Sequence, residues 1–247
     1  MRKFIVILSF VLFTSSAQAT DAEMKLSAEF QAINVEALLR TMDLALLGAT
    51  DLIERDQKAN ELIIHEALGR YVARSPGLRA IIATDAKGKL RYDSFKYPAK
   101  NVDLQDRDYI KRALKQTERT IYIGTPIKGR TSGIAFLPMS QAIFDLEKKV
   151  TGVVAGIITP DKLIRQNILC NQCFVGIYKE SGEQIAVYPT SLTYPEGFHK
   201  KRKAVGRGII MTHTIGNLPA KSVWTRIEDY KLEVIFTKLT GKEEILR

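Results

Sequence analysis

The stretch DRDYIKRALKQTERTIYIGTPIKGRTSG, Asp106 to Gly133, concentrates side chains able to do chemistry. It holds paired acids, arginines, two tyrosines and a turn rich in glycine and serine. Three uses are open to such a set: hydrolysis, a phosphate cradle, or the wall of a binding pocket. Hydrolysis is disfavoured by spacing. Gly129-Arg130-Thr131-Ser132-Gly133 puts the serine one place too late for a G-x-S-x-G elbow. Gly124, Gly129 and Gly133 do not form G-x-x-x-x-G-K-[ST], so the phosphate loop is not matched either. Asp106 and Asp108 read as an acid pair or, more simply, as the cap and first-turn charge of a helix. His65, His199 and His213 are the only histidines and lack metal-pair spacing. No catalytic constellation emerges, so an enzyme is not expected, nor a cofactor or metal.

Cys170-Asn171-Gln172-Cys173 holds both cysteines of the chain. Haem attachment needs histidine after the second cysteine, where Phe174 stands. Zinc needs four ligands, and there is no second pair. A redox pair would sit at a helix start after a strand, whereas here a strand follows. A local structural disulfide is the leading reading in an oxidising compartment.

The compartment is suggested by residues 1–19. Arg2 and Lys3 precede an apolar run, Phe4 to Phe13, and Ala17-Gln18-Ala19 fits a signal-peptidase site. The run is short for a bilayer span, which takes about 20 residues. A cleaved signal is therefore expected over an uncleaved anchor, giving a periplasmic, soluble protein. The chain is 45% hydrophobic and 26% charged, a globular composition. Its net charge of +10 biases it towards anionic ligands or surfaces. Nucleic acid is not expected as a partner. The densest charge run, His199-Lys200-Lys201-Arg202-Lys203, reads as a solvated loop, with contact to an anionic envelope polymer or lipid as the sharper alternative.

These residues must be held by a scaffold, and periodicity supplies one. Residues 23–57 read as one long helix with Val35, Leu38, Met42, Ala45, Ala49 and Leu52 on a stripe widened by Leu39, Leu46 and Ile53. Packing on the protein's own sheets is one use of that stripe, and a homodimer through helix 23–57 is another. A second helix spans about 60–74 and ends at Ser75-Pro76-Gly77. A hairpin follows, 78–84 with 90–93, then a short helix near 107–115 and strands near 120–124, 134–140 and 150–158. Val150 to Ile158 is almost wholly apolar, as befits a central strand. The pattern then echoes: a short helix at 161–168, a hairpin at 174–188 and three more strands. Helices segregated from antiparallel strands make this α+β.

The ordered set of motifs resembles the periplasmic double-Cache (dCache/PDC, PAS-like) extracellular sensor domains, in particular the branch linked to diguanylate cyclases. Ser75-Pro76-Gly77-Leu78-Arg79 leads into AIIATDAKGKLRYDS, DRDY opens the short helix, and IYIGTPIKGRTSG, VTGVVAGIITPDKL and VGIYKESGEQIAVYP follow in order. The resemblance implies a long N-terminal helix and two tandem Cache modules with antiparallel sheets. The expected division is a signal over 1–19, a helical region over 20–76, a distal module over 77–160 and a proximal module over 161–247. It also implies small-molecule binding in the distal module, signalled to a membrane-bound partner. Arg107 and Tyr109 would start the pocket helix, Tyr122 would come from the strand, and Arg130 and Ser132 from the turn. Arginine offers a donor fork to a carboxylate, and tyrosine a flat wall with a polar tip. The competing reading makes Tyr109 and Tyr122 core aromatics and Arg107 a surface ion-pair partner.

Two departures stand out. The amino-acid-binding branch carries Arg-x-Trp-Tyr, where this chain has Asp106-Arg107-Asp108-Tyr109. That branch also has a central-strand aspartate, where this chain aligns Ile157. Both count against α-amino acid recognition. Family receptors continue into a second membrane helix and an output domain, so ending at Arg247 implies a free-standing sensor or a truncated receptor. The expected function is an exported ligand-binding sensor. The alternative is a periplasmic interaction protein without a ligand, acting through the long helix or the basic loop.

Overall fold

A computed structural model describes residues 2–55, 60–130 and 132–240, with the backbone alone for 2–20. The side chains of the expected signal segment, residues 56–59 and Thr131 lie outside that set. Among the described residues no helix is long and apolar enough to cross a membrane.

The first helix, α1, runs from Arg2 to Arg55, starting well before residue 23. Its buried line is Val35, Leu39, Met42, Leu46, Ala49 and Ile53. The residues expected to widen the stripe are thus its centre, and Leu38 and Leu52 sit half-buried at its margin. Helix α2, Glu61–Ala73, starts where the Asn60 side chain accepts the Leu62 amide at 2.9 Å. It ends at the Ser75-Pro76-Gly77 breaker, with Gly77 at a φ of +84° that side-chain-bearing residues rarely adopt.

The chain divides into two compact units, Val35–Leu163 and Met1–Asn34 with Ile164–Arg247. The first unit holds β1 (Leu78–Asp85), β2 (Leu90–Asp93), α3 (Asp108–Ala113), β3 (Tyr122–Ile123), β4 (Ile127–Lys128), β5 (Ala135–Phe144) and β6 (Val150–Ile158). Its antiparallel sheet runs β2-β1-β6-β5-β3, with β4 also paired to β5. Strand β6 is central, as its apolar run implies, and both its faces are covered. Val153, Ala155 and Ile157 join a cluster with Tyr109, Ile110 and Phe136. On the other face, the backbone at Gly156 lies against Leu46 of α1 and Leu78. Gly152 permits the closest approach in the sheet, since a Cβ there would meet the Thr84 carbonyl oxygen at 2.2 Å. Polar contacts fix α1 in this unit: Gln141 Nε2 donates to Thr50 Oγ1 at 2.6 Å, and Arg119 bridges Asp51 and Glu54.

The second unit holds β7 (Cys173–Lys179), β8 (Gln184–Tyr188), α4 (Phe198–Val205), β9 (Met211–Ile215), β10 (Leu218–Ile227) and β11 (Leu232–Leu239). All pairs are antiparallel, in the order β8-β7-β11-β10-β9. The expected helix at 161–168 is two 3₁₀ turns, Pro160–Leu163 and Gln166–Ile168. Buried Gln31 of α1 exchanges two hydrogen bonds with the Arg165 backbone, at 2.9 and 3.1 Å. Cys170 and Cys173 are joined by a disulfide. The fold is α+β: a long N-terminal helix and two antiparallel sheets in tandem.

One expectation needs correction. The 199–203 run is not a solvated loop but lies in α4, and Arg202 is 1% exposed. Its guanidinium pairs with buried Glu233 and lies 5.0 Å above the Trp224 ring. Composition alone reads five basic residues as solvated; a buried acid on β11 makes the difference.

Candidate functional site

A cavity of about 230 Å³ opens on the α3 side of the first sheet. Strands β1 and β6 provide its floor through Ala80, Ile82 and Ile157, with Phe136 from β5 and Leu104 from the segment before α3. The rim is polar: Arg79, Lys100 and Arg130 are cationic and Asp93 is acidic. This volume lies below the roughly 300–1,000 Å³ of drug-sized sites, so it suits a small molecule.

Tyr109, Arg130 and Ser132 line this cavity. Tyr109 is in the first turn of α3, where its ring is buried edge-on to Phe136 at 6.1 Å between centroids. Ser140 Oγ donates to its carbonyl oxygen at 2.9 Å, tying α3 to β5. Among the described residues the Tyr109 hydroxyl has no hydrogen-bond partner. Burial pushes its pKa up to about 12, although the Arg107 and Arg130 charges act the other way. Tyr109 therefore stays a neutral donor throughout the physiological range.

Arg130 sits in the turn between β4 and β5. Its guanidinium donates to the Asp103 carbonyl oxygen and, at 2.6 Å, to the Asp106 carboxylate. What burial there is opposes ionisation of Asp106, but the Arg130 bond and charge outweigh it and hold the carboxyl below its usual range. In the same turn, Ser132 Oγ accepts the Ile134 amide at 3.3 Å.

Arg107 and Tyr122 are not part of the lining. Arg107 caps α3 through its backbone, accepting the Ile110 and Lys111 amides, and reaches Tyr109 only through its charge. Tyr122 donates its hydroxyl to Asp108 Oδ2 at 2.8 Å, and Arg112 lies 5.2 Å above its ring. Asp108 also pairs with Arg112 at 2.8 Å, so this trio braces α3 against β3. The lining also includes Arg79, Asp93 and Lys100, which sequence reasoning did not single out. No motif marks them, because their place depends on strand register and on the path of residues 94–107. Ile157, aligned where the amino-acid branch has an aspartate, lies on the apolar floor.

The second unit carries an aromatic cluster on its own sheet. Tyr178, Tyr194, Phe198, His199 and His213 form a continuous ring cluster, with Tyr194 stacked on Phe198 at 4.2 Å. A hydrogen-bonded chain runs through it, from Tyr194 to Thr237, Ser222 and His213.

No protein-family model and no curated protein sequence matches the chain. Solved structures do. The extracellular domain of a candidate histidine kinase, rpHK1S-Z16, superposes with a TM-score of 0.80 at 19% identity, over 90% of this chain and 95% of that one. The ligand-binding domain of the Campylobacter jejuni chemoreceptor Tlp3, in complex with 4-methylisoleucine, gives 0.68 at 16%, over 93% and 95%. The ligand-binding domain of the Pseudomonas fluorescens chemoreceptor CtaA, in complex with L-serine, gives 0.71 at 15%, over 92% and 100%. The chain therefore shares the fold of extracellular ligand-binding sensor domains of histidine kinases and chemoreceptors.

Proposed function

We propose that this protein is an exported, non-enzymatic sensor domain. A small polar or anionic molecule binds in the cavity of the first unit, and the resulting change is passed to a membrane-bound signalling partner. The observation carrying this reading is the cavity itself: an apolar floor under convergent polar groups, in a fold whose solved examples include ligand complexes. Tyr109, Arg130 and Ser132 are the wall, Arg107 adds charge near the Tyr109 hydroxyl, and Tyr122 holds α3 in place. Periplasmic export rests on the pattern of residues 1–19.

The test is a thermal-shift screen of the purified protein against carboxylates, amines, amino acids, sugars and nucleobases. A ligand at about 100 times its dissociation constant adds roughly 2.7 kcal/mol to stability. A hit should persist in calorimetry and be lost or weakened in Tyr109→Phe, which keeps the ring packed but removes the hydroxyl. A well-folded protein that responds to nothing counts against the reading.

A second reading has its own observation. Leu26, Phe30, Ile33, Ala37, Arg40 and Leu44 recur at steps of four and three along α1, and all are exposed. That spacing is the seam of a parallel helix pair. It favours a homodimer through α1, either accompanying ligand binding or, without a ligand, as the protein's main interaction.

A further inference from the structure

The lining of the cavity says more about its ligand than its size does. Resting on the reading above, we propose that the cavity takes a small organic monoanion with an apolar body and no ammonium group, and that Arg79 anchors its carboxylate.

Arg79 reaches the cavity through an irregularity in β1. Along a regular strand successive side chains alternate faces. Ala80 and Ile82 face the cavity, so Arg79 would otherwise share the opposite face with the fully buried Ile81 and Ala83. The pairing of β1 with β6 shifts at this point: Leu78 lies opposite Ile158, and Ala80 opposite Ile157. Arg79 is the extra residue of that bulge. Bulges re-aim a side chain in this way, often beside binding sites. Arg79 thus lines the cavity next to Ala80, and it makes no hydrogen bond or ion pair among the described residues.

Charge balance sets the ligand class. Arg130 is compensated by Asp106. Arg79 and Lys100 remain against the single lining acid, Asp93, one of whose oxygens already accepts the Phe95 amide at 2.8 Å. The surplus is one positive charge. A carboxylate on the planar Arg79 fork neutralises it and gains charge-assisted hydrogen bonds. The floor, Ala80, Ile82, Leu104, Phe136 and Ile157, offers no acceptor to an ammonium group, whose burial there would be costly. An aliphatic body covers that floor at no such cost.

Isocaproate, which is leucine's carbon skeleton without the amino group, is the discriminating probe. Calorimetric titration of the whole protein should show isocaproate binding, with L-leucine and the neutral isocaproamide each weaker by about tenfold or more. Arg79→Gln should weaken isocaproate by a similar factor at an unchanged melting temperature, and Arg79→Lys by less. Leucine binding as well as isocaproate, or unchanged affinity in Arg79→Gln, overturns the inference. Silence to all three probes, with a saturable ligand of another class found in the wider screen, overturns it while leaving the sensor reading intact. Silence to every class sinks both.

Discussion

Arg202 and Glu233 are 1% and 3% exposed, and their pairing makes burial of both charges tolerable. Arg202 Nε also donates to His199 Nδ1 at 3.2 Å, and the Trp224 indole donates to the Arg202 carbonyl at 3.0 Å. Arg202 Nη1 has no partner among the described residues, so the site is satisfied only in part. Arg202→Met should cost about 3–5 kcal/mol, because buried Glu233 then keeps only the more exposed Lys203, 3.8 Å away, as its cationic partner. Arg202→Met combined with Glu233→Leu should recover most of that, since apolar replacement of a buried pair is often neutral. Urea denaturation of both variants checks this; a double variant no better than the single one refutes it. His199, beside this pair, has its pKa lowered to about 4 by burial and by the Arg202 and Lys203 charges. The unfolded chain takes up this proton near the ordinary value of 6.5, whereas the folded protein does so only near 4. Stability from this group is therefore complete above about pH 6.5 and is lost as pH falls through that window. His199→Asn should flatten the fall relative to wild type in urea midpoints between neutral pH and pH 5. Parallel curves would assign the acid sensitivity to other groups.

At the scale of elements, α1 offers the sharpest test. Leu26, Ile33 and Leu44 are 65–68% exposed, so their replacement removes little packing within one chain. Ile33→Glu with Leu44→Glu should convert a dimer to a monomer in sedimentation velocity, with a melting temperature matching that of wild type diluted to its monomeric range. A wild-type protein that is monomeric at the highest attainable concentration excludes self-pairing. The same helix shows what could be read in advance. Its apolar period was visible, and so was the nearly pure apolar run of β6, because both are local patterns imposed by a buried face. The β1–β2 hairpin was legible too, and its turn is closed by the Asp85 carboxylate, which accepts the Lys87 and Lys89 amides. Features that depend on a distant partner were not. Helix α4 looked like a solvated basic loop because Glu233 lies 31 positions from Arg202. Tyr109, Arg130 and Ser132 line the cavity while Arg107 and Tyr122 of the same stretch do not, because which side chains face it depends on the turn of α3 and the register of β3, not on nearness in sequence. Nor could Arg79 be anticipated, because a bulge is a mismatch between two strands and leaves no mark on either alone.

At the scale of the whole molecule, the question is whether an event in the cavity is felt in the second unit. Among the described residues, helix α1 contributes to both cores, through Val35 to Ile53 in one and Met24 to Gln31 in the other. A helix propagates cooperatively, because each added turn rests on the one before. Melting the first unit therefore removes the support from half of α1 and should weaken the other half. The chain holds one tryptophan, Trp224, in β10 of the second unit, so its fluorescence reports that unit alone. Gly152→Val forces a side chain into the Thr84 backbone of the first sheet, and overpacking of this kind costs about 1–3 kcal/mol. If the shared helix couples the units, this remote change should lower the urea midpoint seen by Trp224 and keep it coincident with the far-ultraviolet transition. An unmoved Trp224 midpoint beside an earlier loss of ellipticity would mean that the units unfold independently. A ligand signal leaving the cavity would then need a route other than the stability of α1.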